Sequence, residues 1–529
     1  MGERLRVLHI IQYLSLGGAG RAMIAAAKYM SRMQDVQHDV VSLLPPEDAG
    51  VHFAEQEGMK FIPTSNVDDL RCLIPDYDLI QLQWWNNAEM GSLLREPLPP
   101  CRLVAWCHVG GHLAPQVIPE DLVHTLDCAI ACSPHTYRSP AFQSLSPKER
   151  LDRCAMAYGA ADFERVASVV PQPHTGFQVG YIGTIHFSKM HPDFVAMSAS
   201  IDIPDARFIV CGGGGHEELI RQQAASLGVV DRFDLRGYVD DIATVLSELD
   251  VYGYPLCEEN YSGSEVNLQE VMHAGIPPVV FPYGGVRYLV VDNYTGLVVH
   301  SNIEYTQAIE YLYREPEERA RIGKNAAEYA RQIFGAKNAA KVFLEVYERV
   351  MRLPKRAHVW GESACENILN AHISQEMVFP PSQVLAGSAL FTESLAGQFP
   401  CFLQSIREED LTLLLEQDEA IGHCTQLLQD TVAIQYLRCF PRDAVLHFWA
   451  GLIQRARLRY REALASFDQA AQLGFSHWRL LWYIVHCAQE VGAQELVSQA
   501  STALAPLLRG HGADSSLATR YRLPALSTK

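Results

Sequence analysis

The chain has 529 residues, of which 48% are hydrophobic and 20% are charged, and its formal net charge is −18 at pH 7. This composition argues against a disordered chain, because it supplies enough apolar side chains for large buried cores. The acidic charge argues against a nucleic-acid partner, which needs a basic surface, and allows at most peripheral contact with a membrane. The length predicts about three or four domains.

The 13 cysteines form neither a Cys-x-x-Cys pair nor a metal-like cluster. Cys107, Cys128 and Cys211 lie inside apolar runs and fit reduced residues of a buried core. The first residues lack the apolar core and cleavage site of a signal peptide. No apolar run approaches the roughly 18 residues that span a bilayer. These patterns predict a soluble, cytoplasmic protein.

Short apolar runs alternate with helical periods from Arg6 to about Leu353. This alternation predicts parallel, doubly wound α/β sheets. One such sheet takes roughly 150–200 residues, so the stretch predicts two Rossmann-like domains. The Pro-rich residues 170–173 mark the boundary, which gives one domain over residues 1–172 and a second over residues 173–337.

The last part of the chain has a different pattern. Residues 354–405 show no clear period and are interpreted as a connector, whereas residues 406–529 predict an all-α domain. Within it, residues 444–475 fit one tetratricopeptide (TPR) unit, because Gly451 and Ala463 stand where small residues let paired helices touch. An ordinary helical hairpin explains the pattern equally well.

A glycine-rich loop follows the first predicted strand. Gly17 and Gly18 stand directly before a helix, where glycines let backbone approach a ligand and a helix N-terminus favours an anion. No acidic residue follows at the distance that would grip the ribose of a dinucleotide, so NAD is disfavoured. A tight strand–helix turn without a ligand is the alternative.

The most informative stretch runs from Tyr254 to Leu297. A strand end leads through a polar Gly/Ser loop into a helix that carries Glu270, and a Gly-Ile-Pro turn, a strand and a second Gly-Gly loop follow. A carboxylate there can accept hydrogen bonds from ribose hydroxyls, while backbone N–H groups and the helix dipole hold phosphates. The stretch therefore suits a nucleotide sugar.

This stretch resembles the donor site of retaining glycosyltransferases with the GT-B fold (glycosyl transferases group 1), whose motif is Glu-x7-Glu followed by Ala/Cys-Gly-x-Pro-Val. Glu270 matches the second glutamate, and residues 274–277 match the turn. The resemblance implies two Rossmann-like domains that face a cleft, with helix 338–353 crossing back to complete the first domain. It also implies an enzyme that uses a nucleotide sugar, retains configuration and needs no metal or other cofactor.

The start of the second domain resembles the diphosphate loop of the family. Gly183 matches its second glycine and Lys189 matches its lysine, but Thr184 stands where the family has an arginine. A lone lysine neutralises phosphate as a point charge and lacks the planar fork of arginine. Arg287, in a Gly-Gly-Val-Arg loop, is a candidate substitute.

Further segments extend the resemblance. Gly237 and Tyr238 match a Gly-Tyr/Phe-Val segment whose backbone reads the nucleobase. The family places a histidine at a strand end of the first domain, in contact with the transferred sugar, and His108 is our choice with His112 in reserve. A structural hydrogen-bonding role is the alternative for such a histidine. The aromatic side chains at the strand end around Trp85 either stack on the sugar ring of the acceptor or pack in the buried core.

Ser262 stands where the family has its first glutamate, which touches the transferred sugar. Either Glu265 or Glu259 replaces the missing carboxylate, or the donor chemistry is impaired. We assign the diphosphate to Lys189, Gly17 and Gly18, the ribose to Glu270, the transferred sugar to His108, and the sugar hydroxyls to the loop of Ser262, Gly263 and Ser264. The other predicted donor-binding residues are Gly183, Thr184, Gly237, Tyr238 and Glu265. Of these, His108, Lys189 and Glu270 are the predicted catalytic residues.

Together these features predict a glycosyltransferase that acts on a glycan or a lipid-linked acceptor, as in polysaccharide biosynthesis. Two alternatives stay open. In one, the helical C-terminal domain presents a protein acceptor or binds a protein partner. In the other, the chain is a catalytically degenerate scaffold.

Overall fold

The computed structural model describes residues 4–64, 66–360, 386–407, 411–424 and 432–510. The chain divides into two compact units, which are Met1–Asn86 with Leu93–Trp360, and Asn87–Ser92 with Gly361–Lys529. Residues 361–385 of the predicted connector lie outside the described residues.

The first unit begins with a parallel sheet of buried, Val/Ile/Leu-rich strands. Its order in the described residues is β3-β2-β1-β4-β6-β7-β8. Strands this apolar are covered on both faces, as doubly wound sheets require. Their bounds are β1 Leu5–Ile11, β2 Val36–Ser42, β3 Lys60–Phe61, β4 Leu79–Trp84, β5 Leu98–Cys101, β6 Leu103–Cys107, β7 Cys128–Ala131 and β8 Cys154–Met156, with β5 outside this sheet.

A second parallel sheet follows in the same unit. Its order in the described residues is β11-β10-β9-β12-β13-β14, so the strand order reverses between β9 and β12. Such a reversal leaves a crevice at the carboxyl ends of the strands, where α/β proteins bind ligands. The bounds are β9 Phe177–Ile182, β10 Ala206–Cys211, β11 Phe233–Gly237, β12 Val251–Tyr254, β13 Pro278–Val280 and β14 Leu297–Val298.

Helices connect the strands of both sheets. Those of the first sheet region are α1 Gly18–Met33, α2 Asp48–Gln56, α3 Val67–Leu73, α4 Ala88–Arg95, α5 Glu120–Thr125, α6 Pro134–Tyr137, α7 Pro140–Ser144 and α8 Pro147–Arg153. Those of the second are α9 Phe194–Ala199, α10 Glu217–Ser226, α11 Ile242–Ser247, α12 Val266–His273, α13 Asn302–Arg314, α14 Pro316–Ile333 and α15 Ala336–Met351.

Helix α15 packs against α1 of the first sheet. Its apolar residues recur at helical spacing, so they form one buried stripe. The stripe consists of Ala336, Ala339, Ala340, Phe343, Leu344, Val346, Tyr347 and Val350. Burying each large member of such a stripe contributes roughly 1.5–3 kcal/mol. The helix therefore joins the core of the first sheet although it follows the second sheet in the chain.

The segment after α15 is also fixed on the first sheet region. Strand β15, Arg356–His358, pairs antiparallel with β5. Arg356 Nε donates to Asp127 Oδ1 at 2.8 Å, and His358 Nε2 lies 3.4 Å from Asp127 Oδ2. Burial lowers the pKa of His358, yet the side chains of Asp127 and Cys101 and the backbone of Thr125 raise it to about 10. His358 is therefore a charged, paired anchor at neutral pH.

The second unit is helical in its described residues. Helices α20 to α23 pack against their neighbours in the chain, and a Cβ on Gly451 would lie 2.4 Å from Phe467 Cε1. The glycine thus lets α20 and α21 touch, while the TPR assignment stays a prediction. The bounds are α16 Ala386–Ser394, α17 Pro400–Arg407, α18 Leu411–Gly422, α19 Val432–Cys439, α20 Ala444–Ala456, α21 Tyr460–Gln472, α22 Trp478–Glu490 and α23 Gln494–Gly510.

The predicted fold class is confirmed: two doubly wound parallel sheets are followed by a helical region. In the part of the chain that the structure describes, no helix is both long and apolar enough to cross a membrane.

Candidate active site

A cleft of about 400 Å³ lies where the two sheets present the carboxyl ends of their strands. Loops after β1, β4, β6 and β7 line one side, and loops after β9, β10, β11 and β12 line the other. The predicted site residues that line it are Gly17, Gly18, His108, Gly183, Thr184, Lys189, Tyr238, Ser262, Gly263, Ser264, Glu265 and Glu270. Gly237 does not line the cleft, although its neighbour Tyr238 does.

Close backbone contacts explain two of the glycines that line the cleft. A Cβ on Gly212 would lie 1.9 Å from the carbonyl oxygen of Gly183, and Gly212 has φ +131°. A Cβ on Gly263 would lie 2.4 Å from Cys132 Sγ and 3.0 Å from the carbonyl carbon of Val109. Because these contacts leave no room for a side chain, backbone itself forms the wall of the cleft there.

Lys189 and Glu265 form an ion pair inside the cleft. Lys189 Nζ lies 2.8 Å from Glu265 Oε2, which also accepts a 2.6 Å hydrogen bond from the Tyr254 hydroxyl. Burial on its own would lower the pKa of Lys189, but the Glu265 carboxylate raises it above its ordinary value. Burial likewise raises the pKa of Glu265, but Lys189 brings it below its ordinary value. Both groups are charged at neutral pH.

The loop before α12 contains the position of the missing glutamate. Ser262 is 1% exposed, and its N–H donates to Asn260 Oδ1 at 2.8 Å. Ser264 Oγ accepts hydrogen bonds from the Gly159 N–H at 2.9 Å and from Gln269 Nε2 at 3.0 Å, so it joins the two sheet regions. Of the two glutamates expected to compensate, Glu265 lines the cleft, whereas the exposed Glu259 does not.

Glu270 is buried on α12 and pairs with a cation that the sequence did not reveal. Arg165, on the 3-10 turn Phe163–Val166, places Nη1 2.9 Å from Glu270 Oε1 and donates through Nη2 to the carbonyl of Asp240 at 3.3 Å. Burial raises the pKa of Glu270 to about 6, against the opposing effect of Arg165. No motif marks Arg165, because the pair joins residues 105 positions apart.

A second arginine reaches the cleft from α1. Arg21 Nη2 donates to the Tyr238 hydroxyl at 2.6 Å and lies 3.3 Å from Asp240 Oδ1. These bonds connect the loop after β1 with the loop after β11. Arg287, the expected substitute for the missing family arginine, is exposed and does not line the cleft, so that expectation is wrong. Arg21 and Arg165 are the arginines at the site.

His108 lines the cleft at the end of β6, and its Nε2 lies 2.8 Å from Gln83 Oε1. Burial lowers the pKa of His108 to about 3, so the imidazole is neutral. The reserve candidate His112 instead contacts the carbonyl of His135 at 3.0 Å and does not line the cleft. Trp85 does line it, in edge contact with the ring of Tyr261.

Within the described residues, no group of three or more His, Cys, Asp or Glu side chains has an arrangement that could hold a metal ion. The expectation that the reaction needs no cofactor stays a prediction.

Residues 162–329 match the family Glycosyl transferases group 1. The chain is also similar to two proteins named D-inositol 3-phosphate glycosyltransferase. It is 24% identical to the one from Corynebacterium aurimucosum over 312 residues, which is 51% of this chain and 72% of the relative. It is 28% identical to the one from Corynebacterium glutamicum over 305 residues, which is 50% of this chain and 71% of the relative.

Solved structures share the fold at low sequence identity. Anabaena HepE in complex with UDP-glucose superposes with a TM-score of 0.54 at 18% identity, over 65% of this chain and 99% of that chain. A glycosyltransferase from Rickettsia africae gives a TM-score of 0.55 at 14% identity, over 66% and 100%. Sucrose-phosphate synthase from Thermosynechococcus elongatus gives 0.52 at 18% identity, over 66% and 100%.

The two facing sheets and the cleft at their strand ends define a protein of the GT-B fold, as predicted. The chain is a glycosyltransferase, and its residues 162–329 are similar to the glycosyl transferases group 1 family.

Proposed function

We propose that the protein transfers a sugar from a nucleotide-sugar donor to a hydroxyl group of a glycan or lipid-linked acceptor, with retention of configuration and without a metal ion. One observation carries this proposal: Glu270, Lys189 and His108, which come from distant parts of the sequence, line the same cleft. A cytoplasmic location and a role in polysaccharide biosynthesis belong to the same proposal.

In the proposed complex, the donor lies along the cleft with its nucleoside at Glu270. The ribose hydroxyls donate to the Glu270 carboxylate and so compete with Arg165, whose Nη1 is 2.9 Å away. The released arginine gains a new anionic partner in the diphosphate, because a guanidinium can bind two phosphate oxygens at once. Arg165 and Arg21 thus replace the charge that Thr184 does not supply. HepE was solved with UDP-glucose, so a UDP-sugar is the first donor to test.

The diphosphate then lies between Lys189 and the glycine loop after β1. The backbone at Gly17 and Gly18 begins α1, whose N-terminus favours negative charge. Charge develops on the leaving diphosphate as the bond between the sugar C1 and the phosphate oxygen breaks. The acceptor oxygen bonds to C1 on the same face, and its proton passes to the leaving phosphate. The residues contribute electrostatic stabilisation and positioning.

Sugar recognition is proposed to differ from the usual pattern at one point. The serine at position 262 is too short to replace a glutamate carboxylate, whereas Glu265 supplies one inside the cleft. Its charge is balanced by Lys189 at 2.8 Å. We therefore assign recognition of a sugar hydroxyl to Glu265, with His108 as a second contact.

The proposal is tested by assaying a panel of nucleotide sugars for transfer and hydrolysis. We expect turnover by the unaltered protein and its loss in Glu270→Ala and Lys189→Ala. Glu317→Ala and Lys324→Ala, at exposed positions of α14, are matched controls that keep activity. Absence of turnover with every donor, together with no nucleotide-induced rise in melting temperature, would refute the proposal.

The acceptor is tested separately with glycans, lipid-linked sugars, polyol phosphates such as D-inositol 3-phosphate, and proteins. D-inositol 3-phosphate is included because the relatives are named for it, and proteins are included because the helical second unit could present one. Transfer to a small glycan that survives deletion of residues 405–529 would argue against a protein acceptor presented by that region.

A further inference from the structure

Four polar side chains form one hydrogen-bonded chain across the first sheet. His38 on β2, His9 on β1 and Gln83 on β4 lie on adjacent strands, and His108 follows the next strand, β6. His38 Nδ1 lies 2.8 Å from His9 Nε2, His9 Nδ1 lies 3.0 Å from Gln83 Nε2, and Gln83 Oε1 lies 2.8 Å from His108 Nε2. The chain ends at the cleft, which His108 lines.

The direction of these bonds fixes the tautomer of each histidine. The amide oxygen of Gln83 only accepts, so His108 Nε2 carries the proton. The amide nitrogen of Gln83 donates to His9 Nδ1, so His9 is protonated at Nε2 and donates to His38. A neutral His108 is therefore unprotonated at Nδ1, which has no hydrogen-bond partner among the residues that the structure describes.

Simple packing does not account for this chain of polar groups. His9, His38 and Gln83 are 1%, 3% and 0% exposed, and buried polar groups cost free energy unless they are hydrogen-bonded. His38 Nε2 is buried and has no hydrogen-bond partner in the described residues, so the free-energy cost of burying this N–H group is not compensated. Burial also lowers the pKa of His9 well below its ordinary value and that of His38 to about 3, so both rings are neutral.

We propose that Gln83 and His9 are positioning residues that hold His108 in the Nε2-protonated tautomer, so that its Nδ1 accepts a hydrogen bond from a hydroxyl group of the transferred sugar. The identity of the ligand rests on the proposed function, but the tautomer does not. Without Gln83, the ring exchanges between tautomers and rotates, and the acceptor nitrogen is no longer presented to the donor. The sugar is then bound less tightly in the transition state than in the unaltered protein, which lowers kcat.

The test compares Gln83→Met with Gln81→Met. Gln81 lies on the same strand, is 1% exposed and accepts a 2.6 Å hydrogen bond from the Tyr347 hydroxyl, so it controls for loss of a buried amide. For Gln83→Met we expect a roughly tenfold fall in kcat with the nucleotide sugar, while affinity for the nucleoside diphosphate, which lacks the sugar, stays within about twofold. Gln81→Met keeps kcat within about twofold when melting temperatures are matched.

A double variant tests whether Gln83 acts through His108. If it does, Gln83→Met lowers kcat no further in a His108→Ala background, because residues that act as a unit are not additive. Multiplicative losses would overturn the proposal. The proposal would also be overturned if Gln83→Met and Gln81→Met lowered kcat and diphosphate affinity to the same extent, since that result would indicate general destabilisation.

Nitrogen NMR of ¹⁵N-histidine-labelled protein gives a readout that needs no turnover. We expect the His108 signal, assigned with His108→Asn, to show a protonated Nε2 and an unprotonated Nδ1, and to shift to a tautomer mixture in Gln83→Met. A protonated Nδ1 in the unaltered protein, or an unchanged tautomer in Gln83→Met, would overturn the proposal. If no nucleotide sugar turns over, the proposed function fails but this measurement still decides the positioning role.

Discussion

Lys189 and Glu265 share a buried ion pair, with Nζ 2.8 Å from Oε2, inside the cleft that faces both sheets. The lysine is the cation that family resemblance assigns to the donor diphosphate. Its partner, Glu265, lies three positions after Ser262. In the family, the position of Ser262 is occupied by the first glutamate of the motif. Glu265 thus brings a carboxylate into the cleft that Ser262 lacks, and it partly neutralises the charge of Lys189.

Breaking this pair on one side is expected to destabilise the protein. Lys189→Met leaves Glu265 buried beside the Tyr254 hydroxyl without a cation, and such a loss costs about 3–5 kcal/mol in the free energy of unfolding. Glu265→Gln leaves the converse charge unpaired. The double variant should cost less than the sum of the two single variants, and the difference, which is the coupling free energy, should be about 1–3 kcal/mol. Urea unfolding of all four proteins measures it.

The exposed pair Arg352–Glu348 is the control for this cycle, because its side chains are 74% and 73% exposed. Water screens such a pair, so its coupling free energy in the cycle of Arg352→Met with Glu348→Gln should be close to zero. Equal coupling for the two pairs would contradict the buried ion pair.

Glu270 should make stability depend on pH. Its pKa is raised by burial from 4.5 to about 6, so the folded protein holds this proton more tightly than the unfolded chain. The folded state therefore loses stability as pH rises from below 4.5 to above 6, by about 2 kcal/mol in total. In Glu270→Gln this loss is absent. The difference in unfolding free energy, variant minus unaltered protein, should thus grow by about 1.5 kcal/mol between pH 4.5 and 7.

The difference isolates Glu270 from two other buried carboxyls. Burial also raises the pKa of Asp418 and of Asp443 to about 6, and both remain in the variant. A difference that stays constant across this pH range would show that Glu270 titrates at its ordinary pKa.

Arg21 is expected to contribute to nucleotide binding. It lines the cleft, and its bond to the Tyr238 hydroxyl places it beside the loop after β11. Arg21→Gln should weaken binding of a nucleoside diphosphate about 10- to 100-fold, which corresponds to one or more charge-assisted hydrogen bonds. Isothermal titration calorimetry measures the affinity.

Arg32→Gln is the matched control for Arg21→Gln. Arg32 lies on the same helix and pairs with Glu164 at 2.6 Å, but it does not line the cleft. Its substitution should leave the affinity unchanged. Equal weakening by both substitutions would indicate a long-range effect of charge on the acidic protein and would contradict a direct role of Arg21.

Features of the site that depend on local sequence were predictable. The family resemblance placed the loop at Gly183, and a strand–glycine–helix pattern placed the loop at Gly17, because that pattern lies within one βα unit and fixes its own backbone. The position of Glu270 followed in the same way from the helix after a polar loop. The sheets too could be predicted, since alternating apolar runs specify which strands are buried.

Contacts between distant segments were not predictable. Arg165 and Glu270 are 105 residues apart, and Gln83 and His9 are 74 apart. Which side chains meet depends on strand order and register across a sheet, and neither leaves a local pattern in the sequence. Arg287 was chosen because it stands near the site in the sequence, yet its loop turns the side chain outward. Proximity along the chain was a poor guide there.

Gly212 and Gly213 should respond differently to the same substitution. Both line the cleft after β10, but a Cβ on Gly212 would lie 1.9 Å from the Gly183 carbonyl oxygen, whereas the nearest atom to a Cβ on Gly213 is Glu217 Oε1 at 3.6 Å. Gly212 also has φ +131°, a conformation that alanine rarely adopts. Gly212→Ala must therefore push the loop after β10 away from the loop after β9, which carries Gly183 and Thr184.

We expect Gly212→Ala to lower nucleotide affinity at least tenfold, while the affinity of Gly213→Ala stays within about twofold of that of the unaltered protein. Thermal melting first shows that each variant is folded, and calorimetry then measures the two affinities. Equal affinities would mean that the two loops move apart without cost, and the backbone wall would then have no part in holding the diphosphate.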